Sequence, residues 1–449
     1  MTTKKKVTIA IVGGIPLICL LGSFALLRAS FGKAAAGHDA ELDAAKKDGI
    51  PLEPADLAAM VRVPDSENAA PLYQKILPII HEQGPLTKQF SAISSGFGHR
   101  AKPADIEKAY AALPAMRDVL AKAREATKLP HCDFKRNWGL GPNVLFPEMS
   151  GMKNLARALA FEAKARAQTG DLNGALEDLT AAQKIGRHVG EDPNIIGLLV
   201  QVSIESIVQS ALDEIIDKHK SDAHFLAAAK KMHDAFGPLP NFRYALGGEV
   251  VMGRVALRMI KSHADFSMQD FSSSGEESKT PRAFPGEEII FSSPTVKDAF
   301  DMKLVHAYRM MYENASPDPD KWEITEKASK EAESQIDADH SISNMPSRVL
   351  APVFSGVPGA IGRMIAHRHL TDTEIRLLLD QTRTGSLPSK LPNYGLSTMD
   401  PFSGKPLAYK PSKHGFLLYS FGPDRTDDGG KPSWEDHSGT GSDEVVEVH

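Results

Sequence analysis

The sequence predicts a mainly helical protein of hairpins or a bundle. It adds one transmembrane helix at the amino terminus and a small antiparallel α+β sheet domain at the carboxy terminus. Three observations predict it. An uncharged run fills Val7 to Leu27, apolar residues then recur at three- and four-residue spacing as far as Thr384, and after Gly385 short apolar runs alternate with Gly, Pro and Ser. These features divide the 449 residues into a cytoplasmic tip and anchor (1–30), a helical domain (31–262), a flexible linker (263–292), a helical continuation (293–386) and a β tail (387–449).

The first element is the anchor. Lys4, Lys5 and Lys6 precede 21 uncharged residues closed by Arg28, and about 20 apolar residues span the hydrocarbon layer as a helix. A helix also satisfies its own backbone hydrogen bonds in lipid, and Pro16 at mid-run is tolerated there. The lysines are expected to stay in the cytoplasm, which places the bulk of the chain outside, in the periplasm of a bacterial inner-membrane protein. A cleaved secretory signal is the alternative, since Ala34-Ala35-Ala36 offers small residues to a peptidase. The run is longer than the ~7–15 residues usual for a signal, so an uncleaved anchor fits better.

Charge narrows the partners. The chain has 52 Lys plus Arg, 57 Asp plus Glu and a formal charge of −5; without residues 1–27, and so without three lysines, it carries −8. Nucleic-acid binders show a basic excess instead, so no nucleic-acid partner is expected. Cys19 lies inside the apolar run and Cys132 outside it, so the two cannot pair within one chain. A buried, inert thiol is the expectation for Cys132.

Between anchor and tail the pattern is helical. Ala34 to Lys47 reads as a polar helix or stalk ended by Gly49-Ile50-Pro51, and Pro54 starts another turn. Helices are predicted over Leu72–His81 and Ile106–Thr127, the latter kinked or split at Pro114. Further helices are predicted over Asn194–His219, Ser221–Phe236, Phe242–Ile260, Val296–Asn314, Ile324–Asp337 and Thr371–Thr384. Pro346, Pro352 and Pro358 interrupt the stretch before the last one. Ser267 to Pro285, with Ser272-Ser273-Ser274-Gly275, reads as loop. Glu249 sits on an otherwise apolar helix, where a surface acid is expected over a buried functional one.

Lys153 to Val189 is the most legible segment. Leu155, Leu159 and Ala163 mark one helix face, Gly170-Asp171 a turn, and Leu172, Ala175, Leu176, Leu179 and Ala182 a second helix. The stretch resembles one tetratricopeptide-type hairpin, with Ala163, Ala175, Leu179 and Ala182 at its small or apolar positions. Glu162 and Arg166 stand where that motif prefers bulky apolar residues, and Arg187 replaces its terminal proline. No second copy follows 34 residues on, so the expectation is one repeat-like unit within a helical bundle, with a peptide-binding groove as the sharper reading.

In the tail, strands are assigned near Leu407–Lys410, Phe416–Phe421 and Glu444–Val448. Asp400-Pro401-Phe402-Ser403-Gly404-Lys405-Pro406 and Ser420-Phe421-Gly422-Pro423-Asp424 resemble the carboxy-terminal β region of the type II secretion major pseudopilin, over about 65 residues. The resemblance implies a structural calcium ion in the loop. Asp424 matches that family's loop aspartate, and Asp427, Asp428, Asp436 and Asp443 add carboxylates, with Asp443 the expected partner. A plain solvated acidic turn is the alternative, Asp-Gly being a common turn former. As a whole the chain resembles an uncharacterised class of single-anchor bacterial envelope proteins that join a helical domain to such a tail.

Catalytic signatures are missing: there is no Gly-x-Ser-x-Gly, Gly-x4-Gly-Lys-Ser/Thr or His-Glu-x-x-His. His219, His224, His233, His367 and His369 show no ligand spacing, and adjacent His131 and Cys132 do not make a catalytic pair. The expectation is a non-enzymatic envelope scaffold with a protein partner. An accessory part of a secretion or pseudopilus-like machine, and an unrecognised hydrolase, are the alternatives.

Overall fold

Glycines, prolines and short capping side chains set the element boundaries. The structure, a computed structural model, describes residues 29, 31–80, 84–97, 101–260, 292–351, 354–413, 415–431 and 443–448; the apolar run 7–27, the Ser-rich stretch 267–285 and Asp436 lie outside the described residues. The described part is mainly helical, with a three-stranded antiparallel sheet at its carboxy-terminal end.

Helix α1 (His38–Lys47) is followed by α2 (Pro54–Met60), α3 (Ala70–Ile80), α4 (Thr87–Ser95) and α5 (Pro103–Thr127). Of the polar helix or stalk expected over Ala34 to Lys47, the helix stands as α1, packed on the body. Phe31, Ala45, Ile50 and Leu52 are buried, and Arg254 donates to the Leu52 carbonyl (2.6 Å) and to Asp301 (2.7 Å), which also meets His38 at 3.0 Å. The expected break at Pro114 does not occur, and α5 runs on for 25 residues. Its buried face continues on both sides of the proline, through Ala109, Ala112, Met116 and Leu120, and that packing offsets one missing N–H bond.

Helices α6 (Glu148–Gln168) and α7 (Leu172–Gly190) form an antiparallel hairpin turned at Gly170, with Asp171 capping α7 by accepting from the Gly174 N–H at 3.0 Å. Ala156, Ala160, Ala163, Ala175 and Ala182 are all buried, so small side chains let the two helices close together. Glu162 and Arg166 have a reason to be polar here. Arg124 of α5 bonds both Asp178 (2.5 Å) and Glu162 (2.6 Å), and Arg166 reaches the fully buried Asp178 at 3.0 Å. Burial pushes the Asp178 carboxyl up to about 6 against the pull of Arg124, so this ionic knot ties three helices together at a desolvation cost.

Helix α8 (Ile195–His219) is capped twice. Asn194 accepts from the Gly197 N–H at 2.7 Å, and Glu249 of α10 accepts from the Ile195 N–H at 3.0 Å. Glu249 is therefore not the surface acid expected: burial lifts its carboxyl to about 7, and it closes the positive end of another helix. Among the described residues α8 is the one helix long and apolar enough to cross a membrane, yet 61% of its apolar window is buried inside the protein.

The remaining helices are α9 (Ala223–Asp234), α10 (Phe242–Met259), α11 (Pro294–Asn314), α12 (Trp322–Ala338), α13 (Met345–Leu350) and α14 (Gly356–Thr384). Helix α14 starts fifteen residues before its predicted start at Thr371, because Pro358 falls in its first turn, where no intrahelical N–H bond is lost. Two large apolar cores result, beside a small one of Leu57, Trp138, Val144, Val251 and Val255. One joins α3 to α9 with the second half of α14 and the sheet; the other joins α1, α10, α11, α12 and the first half of α14. Helices α8 and α14 pass through both.

The tail's strands β1 (Ala408–Pro411), β2 (Phe416–Ser420) and β3 (Glu444–Val448) lie in the order β1-β2-β3, with Tyr409 opposite Leu418 and Leu418 opposite Val446. Asp400 clips the sheet to its lead-in. Its carboxylate accepts from Ser420 Oγ (2.6 Å), Ser403 Oγ (2.5 Å) and the N–H groups of Phe402 (3.2 Å) and Ser403 (3.1 Å).

One close approach is open to test. A Cβ on Gly248 of α10 would lie 1.5 Å from the Pro193 carbonyl oxygen, just before the α8 cap. Gly248→Ala is expected to cost about 2–3 kcal/mol, because backbone rather than a flexible side chain must move. A urea-unfolding midpoint equal to the parent's would contradict this packing.

Candidate functional site

An open cleft of about 990 Å³ lies between α3, α4, the start of α6 and the loop from Phe134 to Pro147. Leu77 and Pro78 of α3, Phe90 of α4 and Val144 of the loop give it an apolar side, and Leu145 stands 76% exposed at its edge. Gln74, Ser91, Asn137, Asn143 and Asn154 supply neutral hydrogen-bonding groups. Such a mixture over an apolar floor is what ligand clefts of this size present.

The loop wall is held by one arginine. Arg136 donates to the Leu145 carbonyl (3.0 Å), to Asp192 (2.8 Å from Nε) and to Glu148, and it stacks on Phe146 at 4.4 Å and Phe134 at 5.4 Å. Burial pushes the Asp192 carboxyl up to about 6, and Arg136 pulls the other way. Of the charges that line the cleft, Arg136 and Glu148 therefore offset each other, and Asp192, outside the lining, leaves the clasp one carboxylate in excess. Gly141, at φ 55°, lets the loop lie against α10, since a Cβ there would meet Val255 Cγ1 at 2.5 Å.

Cys132 lies behind this wall and is buried, as expected. Burial raises its thiol pKa, and Asp192 and Glu191 add to the effect, so thiolate is disfavoured. His131 turns to Glu191 at 3.4 Å. His188 is buried between the Tyr73 hydroxyl (3.0 Å) and the Leu129 carbonyl (3.1 Å), and burial pulls its pKa down to about 3, which keeps it neutral and structural.

Among the described residues one group of three ligand types converges: His233, Asp234 and Asp372, with ligand atoms within 4.8 Å of one another. Sequence spacing did not reveal it, because Asp372 comes from α14 and the other two from α9. Lys230 bonds Asp234 and lies 3.0 Å from Asp372, and Arg376 donates to Asp372 at 2.8 Å. Two side-chain cations thus already answer the two carboxylates, and His233 is pulled down to about 4 by burial. The group fits a structural ion cluster better than a metal centre.

The tail aspartates form no such group of three among the described residues. Asp424 closes a local turn by accepting from the Thr426 N–H (3.1 Å), and Asp427 accepts from the Tyr419 hydroxyl (2.9 Å) and the Gly429 N–H (2.9 Å). Asp443 accepts from the Gly430 N–H at 2.7 Å. Oδ1 of Asp443 and Oδ2 of Asp428 are buried without a hydrogen-bond partner. Burial raises the Asp443 pKa, and the charges of Asp428 and Asp427 raise it further.

The arginine clasp was illegible in the sequence, since Arg136, Glu148 and Asp192 follow no periodic spacing. Removing its cation strands two buried carboxylates. Arg136→Met is expected to cost about 3–5 kcal/mol at neutral pH. A carboxyl whose folded pKa lies above its unfolded value contributes stability that is present at low pH and lost as pH rises through the folded value. The deficit should therefore shrink on acidification through about 6, and a deficit independent of pH in urea titrations would refute the assignment. No protein-family model, no curated protein and no solved structure matches this chain.

Proposed function

We propose that this chain is a single-anchor protein of the bacterial cell envelope whose helical body works outside the inner membrane as a binding scaffold. Lys4 to Lys6 stay in the cytoplasm, residues 7–27 cross the bilayer, and the acidic remainder is periplasmic. The observation that carries the binding role is the cleft: an apolar floor, a rim of amides and hydroxyls, and lining charges, Arg136 and Glu148, that offset each other. Its first helical wall, α6, belongs to the hairpin that resembles a tetratricopeptide unit. Among the described residues that line the cleft there is neither histidine nor cysteine, which supports binding over hydrolysis by a serine with an imidazole base.

Location is tested by fusing reporters at His449. Alkaline phosphatase is expected to be active there and green fluorescent protein dark; the reverse pattern sinks the envelope reading. The binding role is tested by a photo-crosslinking residue placed at Leu145 in the full chain in cells. A discrete adduct that disappears in Ser91→Trp is expected, and no adduct counts against the cleft.

The tail supports a calcium role. Asp428 and Asp443 each hold a buried carboxylate oxygen without a donor, and Asp424 and Asp427 stand nearby in sequence. A hard cation answered by carboxylate and loop carbonyl oxygens would relieve that repulsion. EDTA is then expected to lower the melting temperature of the full chain, and added calcium to restore it. An unchanged melting curve in both conditions removes calcium from the account.

A further inference from the structure

The cleft has an end that the arginine clasp does not explain. Arg157 follows Asn154 by one turn on α6, and its Nη1 donates to Asn154 Oδ1 (3.0 Å) and to Ser94 Oγ (3.2 Å), two residues of the cleft lining. Its Nε is buried without a hydrogen-bond partner, and no carboxylate of the described residues pairs with it. Lys153, one turn back, is likewise half-buried, and no carboxylate of the described residues is paired with it. Burial lowers both pKa values, and the Arg157 charge lowers that of Lys153 further. Elsewhere Arg124, Arg136, Arg254 and Arg368 each meet at least one carboxylate, while half-buried Lys184 and Arg243 are answered by backbone carbonyls. Two adjacent half-buried cations without an acid among the described residues are costly unless an anion answers them.

The rest of the cleft says what carries that anion. At the other end the lining charges Arg136 and Glu148 offset each other, so uncharged side chains suit it. Gln74, Asn137, Asn143 and Asn154 offer both donors and acceptors, which suits the alternating N–H and C=O of an extended main chain. A lipid tail would leave those amides unpaired along an open rim. From Glu148 to Arg157 the helix rises by about 14 Å, room for about four residues of extended chain.

We propose that the cleft holds the carboxy-terminal end of an extended polypeptide with uncharged side chains, its terminal carboxylate lying at Lys153 and Arg157. The inference rests on the binding role given above and adds the ligand's class and polarity. Arg157 forks onto the carboxylate, and Lys153 adds a second charge-assisted bond.

The test uses the full chain in detergent and fluorescein-labelled hexapeptide pools randomised over Ala, Ser, Val, Leu and Gln. One pool ends in a free carboxylate and its twin in an amide. Anisotropy titration is expected to show the acid pool binding about tenfold tighter. Lys153→Gln and Arg157→Gln should each lower the acid-to-amide ratio, and Arg157→Lys should restore part of it. A melting curve of each variant establishes folding, and the acid-to-amide ratio is read within one variant, so a general loss of stability does not mimic the effect. Equal binding of both pools, lost in Ser91→Trp, overturns the carboxylate assignment and leaves the cleft as a binding site. Failure of both pools to bind overturns the proposal, and the Leu145 crosslink then decides whether the binding role falls with it. Octanoate binding without peptide binding overturns the polypeptide in favour of an acyl carboxylate.

Discussion

The structure depends on a buried ionic seam between α8 and α14. Helix α8 is apolar enough to resemble a membrane span, yet Glu205, Gln209 and Asp213 punctuate it. Each finds its answer in the interior: Arg368 forks onto Glu205, Gln209 donates to Glu205 at 3.1 Å, and Asp213 meets His367 at 2.7 Å and Thr371 at 2.9 Å. Asp213 raises the His367 pKa against the effect of burial, which favours the imidazolium facing it. Glu374 is pushed well above the usual carboxylate range by burial and by Asp213 and Asp217, so it stays protonated beside them. Apolar pairs would pack these helices in many registers; a sequence of charges that must each meet a partner leaves one. A slip of α14 by one turn would strand Glu205 and Arg368 together.

The cleft and the tail both hang from that seam. The α6–α7 hairpin packs on α8, and α6 carries the cleft wall, so the clasp at Arg136 inherits its position from α8. The clasp also reaches Asp192, in the short connection between α7 and α8 that Glu249 and Gly248 brace from α10. On the other side α14 receives β2 and β3, and Leu377 and Leu378 share a core with Leu418 and Val446. Helices whose apolar faces enter two cores cannot tilt to suit one without disturbing the other. That rigidity suits a preformed cleft.

What was legible in the sequence was periodic. Helical stripes, the Gly170 turn and the three short strands are written in spacing, and apart from the start of α14 they stand within a few residues of their expected places. Residues whose meaning lies in distant partners were illegible. Glu249 reads locally as a surface acid because nothing nearby reveals that it caps a helix beginning 54 residues earlier. Glu162 and Arg166 read as departures from a hairpin motif until Arg124 and Asp178 are brought to them. The cleft belongs to the same class: Arg136, Asp192 and Glu148 come from a loop, a helix connection and a helix start. Proline misled twice, at Pro114 and Pro358, because the cost of a lost bond is local and the packing that offsets it is not.

The tail shows how a motif can be specific without naming a ligand. Strands of four and five residues do not make an independently stable sheet, and here Leu407, Phe416, Leu418, Val446 and Val448 complete a core supplied by the helices. Asp400 accepts from a turn on one side and from Ser420 on the other, so the Asp-Pro-Phe-Ser-Gly-Lys-Pro run and the Ser-Phe-Gly-Pro-Asp run are joined by one carboxylate. That bond alone requires an Asp at 400, a hydroxyl at 420 and the glycine turns between, in that order. The order of these two runs in the sequence therefore follows from closing this sheet against a helix. The unanswered oxygens of Asp428 and Asp443 are a separate matter, because the clip at Asp400 closes without them.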